Sequence, residues 1–262
     1  MIGYPFIWAG KASENYGISI VSINETSWNK VSGGATELIT DTIDRNPELL
    51  FLGAKQTPIL SFPLEFVCES TMDIQTFITV KNWLFGELSY KQLKFCIDGL
   101  ETYYFNCVLK SDEDYIFEDG YKGFKCTVEC DSPFAWENTK VKSYMQPSAG
   151  YSKQIFNNLS ANSEMLKPVI SFTCGSNGNF KIINKSLNDL TFEWNNLQNN
   201  ETITCDCQSG IITSSSGLSR FDNFNKHFLK LKKGVNNLEF WGNVSEIKFT
   251  YKNAIRLGGG LC

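Results

Sequence analysis

The sequence predicts a mostly β protein of two domains: an N-terminal β-barrel or two-sheet domain with one helix, and a C-terminal β-sandwich. Three observations predict this class. Apolar and polar residues alternate along short runs, which is the period of a half-buried antiparallel strand. One segment instead has helical periodicity, and turn residues separate the short strands of the second half at roughly ten-residue spacing. A chain of 262 residues is long enough for two such cores.

The alternation predicts strands over 62–68, 124–130, 190–194 and 245–251. In the last of these, Ile247 and Phe249 share one face, whereas charged and polar residues occupy the other. Asp98-Gly99 lies between two further apolar runs. An Asp-Gly pair accepts the positive φ angles of a tight turn, so it predicts a β-hairpin there.

One helix is predicted over residues 72–85, with a length of roughly 12 to 14 residues. Apolar residues recur there at helical spacing, as in Ile74 and Ile78. Ser70 and Asp73 have the spacing of a capping box, and Gly86 is typical of the residue after a helix. We expect this helix to cover an open face of the N-terminal sheets.

The domain junction is predicted between about residues 137 and 150, where the chain becomes polar and carries Pro147 and Gly150. The charge changes sign there. Residues 1–140 hold 11 basic and 20 acidic residues, a net charge of −9, whereas residues 141–262 hold 13 basic and 8 acidic, a net charge of +5. The predicted domains are therefore 1–140 and 141–262. Neither has the clustered basic residues that nucleic-acid binding requires.

The single histidine, His227, lowers the expectation of hydrolase and metalloenzyme chemistry, because any Ser-His, Cys-His or histidine-metal site would depend on it. Alternation predicts a hydrogen-bonded strand histidine on the face of Leu229 and Leu231. The nine cysteines include Cys205 and Cys207, expected as buried structural thiols. We therefore predict no catalytic residue, no metal site and no cofactor. A glycosidase with two carboxylates needs no histidine, but nothing in the sequence pairs two acids.

The N-terminus lacks the features of a signal peptide, and no apolar stretch approaches the length of a membrane helix. Together with the many cysteines, this favours synthesis in a reducing cytoplasm.

Two sets of residues are candidate binding sites. An acidic run could be a solvated hairpin, a calcium site without the usual loop spacing, or a rim that contacts a basic surface of a neighbouring subunit. Its members are Asp112, Glu113, Asp114, Glu118 and Asp119. Trp194 and Trp241 could stack on a sugar ring, although alternation favours a place in the sandwich core for both.

The order of several segments resembles the distal tail protein of long, non-contractile phage tails. They begin with YGISIVSINET, GGATELITDTIDRNPELLFLG and TPILSFPLEF, followed by the helix and its hairpin. The first domain closes with CTVECDSPFAWE. FLKLKKGVNNLEFWGNVSEIKFTY and the terminal NAIRLGGG resemble the family's late strands and its C-terminal end.

This resemblance implies a tail-tube-like first domain, a galectin-like second domain and a homohexameric ring around a central channel. It implies a place at the distal tip of the virion tail, after synthesis in the bacterial host cytoplasm. The implied partners are the major tail-tube protein, the tape measure protein, the tail-associated fibre or lysin protein and receptor-binding proteins. DNA would pass through the channel without specific binding, which suits an acidic first domain. Neither membrane insertion nor catalysis is implied.

An alternative function is a two-domain carbohydrate-binding module that holds host cell-surface polysaccharide through Trp194 or Trp241. A closed ring of subunits would favour the tail hub. A monomer whose glycan binding depends on either tryptophan would favour the module.

Overall fold

The computed structural model describes residues 3–21, 36–42, 49–56, 59–68, 71–116, 121–145, 150–162 and 164–257. The chain forms two compact units. The first comprises Met1–Glu137 together with Ala254–Cys262, and the second comprises Asn138–Asn253.

The first unit is built on antiparallel strands and one helix, as the alternation predicts. Its elements are β1 (Phe6–Trp8), β2 (Lys11–Ala12), β3 (Ile18–Val21), β4 (Thr36–Thr42), β5 (Leu49–Gln56), β6 (Ser61–Cys68), α1 (Ile74–Phe85), β7 (Lys91–Phe95), β8 (Tyr103–Ile116), β9 (Lys122–Cys130) and β10 (Ala135–Glu137). The main sheet has the strand order β2-β1-β7-β8-β9-β6-β3, and β10 pairs with β8. Within the described ranges, β4 and β5 pair only with each other. We call them the β4–β5 ribbon.

The helix begins at Ile74 because Asp73 caps it. The Asp73 carboxylate accepts hydrogen bonds from the backbone N–H groups of Gln75 at 2.8 Å and Thr76 at 2.9 Å. Phe77, Val80 and Leu84 are buried. The Phe77 ring stacks on that of Phe124 with centroids 4.5 Å apart. This contact holds the helix against the main sheet.

Two details of the helix differ from the sequence prediction. Asp73 is itself the N-cap residue, whereas a capping box would place it in the first turn, and its predicted partner Ser70 lies outside the described residues. Gly86 has φ −78°, a right-handed conformation, and not the left-handed one expected after a helix. A Cβ atom at Gly86 would instead collide with the carbonyl oxygen of Asn82. The glycine is required there for space and not for a positive φ.

The second unit is a sandwich of two antiparallel sheets. Its strands are β11 (Lys140–Met145), β12 (Tyr151–Asn158), β13 (Val169–Cys174), β14 (Gly178–Asn184), β15 (Leu190–Leu197), β16 (Thr202–Asp206), β17 (Ile212–Ser214), β18 (Gly234–Trp241) and β19 (Val244–Tyr251). One sheet has the order β11-β19-β13-β16-β17, and the other has the order β12-β18-β14-β15. Their inward residues, such as Phe172, Phe192 and Phe249, form one buried core. The predicted mostly β class with a C-terminal sandwich is confirmed.

The last described strand, β20 (Ala254–Ile255), belongs to the first unit. Ala254 is the register partner of Trp136, and Ile255 that of Ala135. The sequence-based division places all residues after 140 in the second domain, so the structure differs at this point. Two residues are too few for alternation to indicate a strand, and only pairing with β10 reveals it.

The turn between β18 and β19 requires a glycine at position 242. Gly242 has φ +112°, and a Cβ atom there would collide with the carbonyl oxygen of Asn179. Replacing Gly242 by Ala is therefore expected to lower the free energy of unfolding by about 2 kcal/mol or more. Urea denaturation followed by circular dichroism measures this change.

Gly217→Ala is the matched control for the Gly242 variant. Gly217 also has a positive φ, +71°, but no atom lies within 4 Å of a Cβ there. Its expected cost is about 1 kcal/mol, from the backbone conformation alone. Equal losses of unfolding free energy in the two variants would show that the collision with Asn179 does not contribute to the destabilisation.

Candidate functional site

One carboxylate of the acidic run is paired with a lysine of the same chain. The Asp114 carboxylate forms a salt bridge with Lys81 at 2.5 Å. Glu113 is the register partner of Lys125 and accepts a hydrogen bond from the Tyr115 hydroxyl at 3.0 Å. The side chain of Asp112, and Glu118 and Asp119 entirely, lie outside the described residues. A role of the acidic run in subunit contacts stays a prediction. Asp114 already forms its salt bridge with Lys81 of the same chain.

The β4–β5 ribbon exposes large apolar side chains. Leu50 is 45% exposed, Phe51 63% and Leu52 57%, and Ile39 on the partner strand is 48% exposed. Thr40 pairs with Phe51 and Ile39 pairs with Gly53, so Leu52 occupies a β-bulge between the two pairs. Side chains at successive strand positions point to opposite faces, so both faces of the ribbon carry exposed apolar groups.

The two candidate sugar-stacking tryptophans occupy different environments. Trp194 is fully buried, and its indole stacks on the ring of Phe224 with centroids 4.5 Å apart. The sugar-stacking hypothesis is therefore wrong for Trp194, because packing within the sandwich covers the indole. Trp241, at the end of β18, is 40% exposed, so the core prediction is wrong for it.

Trp241 lies in a row of side chains that crosses all four strands of its sheet. Tyr151 of β12 and Lys181 of β14 are its register partners, and Glu193 of β15 is the partner of Lys181. The Tyr151 and Trp241 ring centroids lie 4.2 Å apart. The Lys181 ammonium lies 5.5 Å from the indole centroid. We call these four residues the aromatic row.

His227 is exposed and lies between β17 and β18, outside any strand. Its backbone N–H donates to the Asn225 side-chain oxygen at 3.1 Å. The predicted strand histidine is therefore wrong, although Leu229 and Leu231 are buried. A three-residue 3₁₀ helix at Phe221–Asn223 precedes this segment, and the chain there follows turns that alternation cannot indicate.

The cysteines of the two cores are buried, as predicted for Cys205 and Cys207. A hydrogen bond with Cys207 raises the pKa of Cys205 far above its ordinary value, and burial of the thiol contributes a second, smaller rise. Burial raises the pKa of Cys68 and Cys174 to about 11. These thiols stay protonated near neutral pH, which suits packing and not nucleophilic attack.

Among the described residues, no group of three or more His, Cys, Asp or Glu side chains is placed to hold a metal ion. Nor does any helix in this part of the chain have the length and apolar character to cross a membrane.

A buried ion pair in the second unit was not predicted. The Arg220 guanidinium donates from Nε to Glu201 Oε1 at 2.7 Å and from Nη2 to Oε2 at 2.8 Å. Burial alone would raise the pKa of Glu201, but hydrogen bonds from Arg220, Ser214, the backbone of Gln198 and Ser216 lower it to about 2. The pair joins the turn before β16 to the segment after β17. The two residues are far apart in sequence and lie outside the strands, so no periodic signal relates them.

The fold and its exposed surfaces define a two-unit β protein with surfaces suited to protein contacts. A family model of the phage tail protein N-terminal domain matches residues 1–132, and a model of the phage tail C-terminal domain matches residues 134–251. The chain therefore belongs to this family of phage tail proteins and is a virion component.

Two solved structures share the fold. The crystal structure of the SPP1 Dit (gp 19.1) protein, described as a paradigm of the hub adsorption apparatus in phages that infect Gram-positive bacteria, matches with a TM-score of 0.68 at 11% identity, over 95% of this chain and 98% of that one. A chain of the phage p2 baseplate in its activated conformation with Sr matches with a TM-score of 0.53 at 12% identity, over 97% and 98%. No curated protein sequence matches significantly.

Proposed function

We propose that this protein is the distal tail hub of a long, non-contractile phage tail. Six copies close into a ring that joins the last tail-tube ring to the tail-tip fibre or lysin and receptor-binding proteins. The observation that carries the proposal is the exposed apolar β4–β5 ribbon in a phage tail protein with this fold. The SPP1 Dit protein and the p2 baseplate chain, whose printed descriptions name a hub and a baseplate, support the same role.

The ribbon supports assembly because its two strands pair with no third strand among the described residues. An isolated two-stranded ribbon is at best marginally stable in water, and contiguous exposed apolar groups mark surfaces that another protein covers. Leu50 and Phe51 point to opposite faces, so a neighbour must contact both. In a cyclic ring each subunit contacts its two neighbours through different surfaces, and an exposed apolar ribbon suits such a heterologous contact.

The charge of residues 1–140, net −9, supports a place for this domain along the DNA channel. Acidic walls repel phosphates and let DNA pass without specific binding. The tape measure protein would occupy the same channel before DNA release. The free cysteine thiols fit synthesis in the host cytoplasm, because a reducing compartment keeps thiols from forming disulfides. The proposed role includes no catalytic step.

Replacing both Leu50 and Phe51 by Asp is expected to abolish the ring, because buried carboxylates without partners are costly at an interface. Mass photometry and negative-stain imaging should find six-fold particles for the parent and single 29.6 kDa chains for the variant. The far-ultraviolet circular dichroism should be unchanged. Ile155→Asp is the control, since Ile155 is 60% exposed but lies in the second unit.

A ring in the double variant, or its loss in the Ile155 control, would contradict a ribbon contact. The position in the virion has its own test. Gold-labelled antibodies against this chain should bind intact virions at the tail end farthest from the capsid. Labels along the tube or at the capsid end would overturn the role as a distal hub.

A further inference from the structure

The aromatic row lies at one end of the outer face of the four-stranded sheet. Tyr151 is the first residue of β12 and Trp241 is the last residue of β18, so both stand at the same sheet end. A second row follows directly on the same face, where Lys153 and Glu239 are register partners. Two aromatic rings are therefore bordered by amino and carboxylate groups on neighbouring strands.

The exposure of Trp241 distinguishes it within the fold. Trp8 and Trp194 are fully buried, whereas Trp241 is 40% exposed. Its partners do not cover it: Tyr151 lies against it at a 45° interplanar angle, and Lys181 approaches it through a flexible side chain. A cation–π contact at an exposed site is weak, so the ammonium can leave the ring at little cost.

The charges of the two rows are balanced. Lys181 and Lys153 carry positive charges, and Glu193 and Glu239 carry negative ones. Such a surface does not favour a polyanion such as DNA, whose phosphates need an excess of basic groups. It suits a neutral ligand that is rich in hydrogen-bonding groups and has one apolar face.

A hexopyranose ring has these properties. Its axial C–H bonds form an apolar face with a slight positive charge, which is attracted to the negative face of an indole. Its hydroxyl groups project around the rim, where ammonium groups donate hydrogen bonds and carboxylates accept them. A site with an aromatic floor and a few polar groups at its border is typical of small-ligand recognition.

We propose that the aromatic row is a carbohydrate-binding site that takes a neutral hexopyranose unit of a cell-surface polysaccharide. The sugar stacks on Trp241 and Tyr151 in place of the Lys181 ammonium, which moves aside to hydrogen-bond a hydroxyl group. Glu193 accepts a hydrogen bond at the far end of the row. This site lies wholly in the second unit and does not depend on ring formation.

Saturation-transfer-difference NMR on the full chain tests the site. The probes are methyl α- and β-glucopyranoside, methyl β-galactopyranoside, N-acetylglucosamine and their tetrasaccharides. We expect saturation of the ring C–H protons of at least one probe, with stronger binding for its tetrasaccharide. Trp241→Ala should weaken that binding by about tenfold, because it removes the stacking surface. Trp241→Phe should restore part of it.

Phe221→Ala is the matched control. Phe221 is 46% exposed and lies under the Lys226 ammonium at 4.8 Å, so it also pairs an exposed ring with a lysine. It is not part of the aromatic row, and its loss should leave binding unchanged. Thermal melts establish that each variant is folded.

No saturation for any probe with the parent protein would overturn the site, and so would equal weakening in the Trp241 and Phe221 variants. Trp241→Ala should still form the ring of the parent. A parent protein that forms no ring would contradict the hub role. A parent protein that binds no sugar would contradict only this site.

Discussion

Replacing Arg220 by Met is expected to lower the free energy of unfolding of the second unit by about 3–5 kcal/mol. The side chain of Arg220 is 8% exposed and that of Glu201 is 1% exposed. Removing the guanidinium leaves a buried carboxylate without its bidentate partner, although Ser214 and Ser216 still donate to it. Urea denaturation followed by tryptophan fluorescence and circular dichroism measures the loss.

Two variants show whether the loss comes from the buried charge. Lys248→Met removes an exposed pair with Glu246, whose ends lie 2.9 Å apart, and should change stability by less than about 0.5 kcal/mol. Glu201→Gln combined with Arg220→Met removes both charges, and should be more stable than Arg220→Met alone. A double variant that loses more than the single one would contradict an uncompensated charge as the cause.

The same pair predicts how stability changes with pH. The pKa of Glu201 is lowered from 4.5 to about 2 in the folded chain, so the unfolded chain binds the proton more readily. The stabilisation is therefore fully present above the ordinary value of 4.5 and is lost as the pH falls through about 2. Melting temperatures between these pH values should fall less steeply in Arg220→Met than in the parent. Equal slopes would show that the guanidinium does not hold the pKa down.

Trp194→Ala is expected to lower the free energy of unfolding by about 3–5 kcal/mol, because it leaves a large cavity in the sandwich core. The indole contacts the rings of Phe172, Phe192 and Phe224, so no single neighbour can fill the space. Trp241→Ala, which removes an exposed indole, should cost less than about 1 kcal/mol. Calorimetry or urea denaturation of the two variants measures the difference.

Trp194→Phe should fall between the parent and Trp194→Ala, since it leaves a smaller cavity. Equal stability of the two alanine variants would contradict the assignment of one tryptophan to the core and the other to the surface. The comparison separates the contribution of core packing to stability from a role in ligand binding, because of these two tryptophans Trp241 alone is exposed to a ligand.

Much of the fold follows from local patterns. Phe62, Phe66 and Phe124 are buried where alternation places them, and Phe77 and Leu84 hold the helix that the 3.6-residue period predicts. Strands and helices repeat with a short period, and burial on one face preserves that period in the sequence. The junction region can also be predicted from the sequence, because a polar segment with Pro147 and Gly150 separates two stretches of alternating apolar and polar residues.

The candidate sites were less predictable, because they depend on which strands become neighbours. Tyr151, Lys181, Glu193 and Trp241 belong to four strands, and only the register of the sheet brings them into one row. Trp194 and Trp241 both fit an alternating pattern, yet one is buried and the other exposed. Nothing in the sequence indicates that the apolar residues of the β4–β5 ribbon are exposed, and within the described residues only the structure shows that β4 and β5 pair with no other strand.

The sequence by itself determined the mostly β class, the helix, the two-domain order and the resemblance to phage tail proteins, because these depend on short-range periodicity and on the order of segments. Only the tertiary structure decided that Glu201 meets Arg220, that β20 returns to the first unit, that His227 lies outside any strand and that Trp241 faces solvent. Contacts of this kind join residues distant along the chain, and their geometry is set by sheet register and packing.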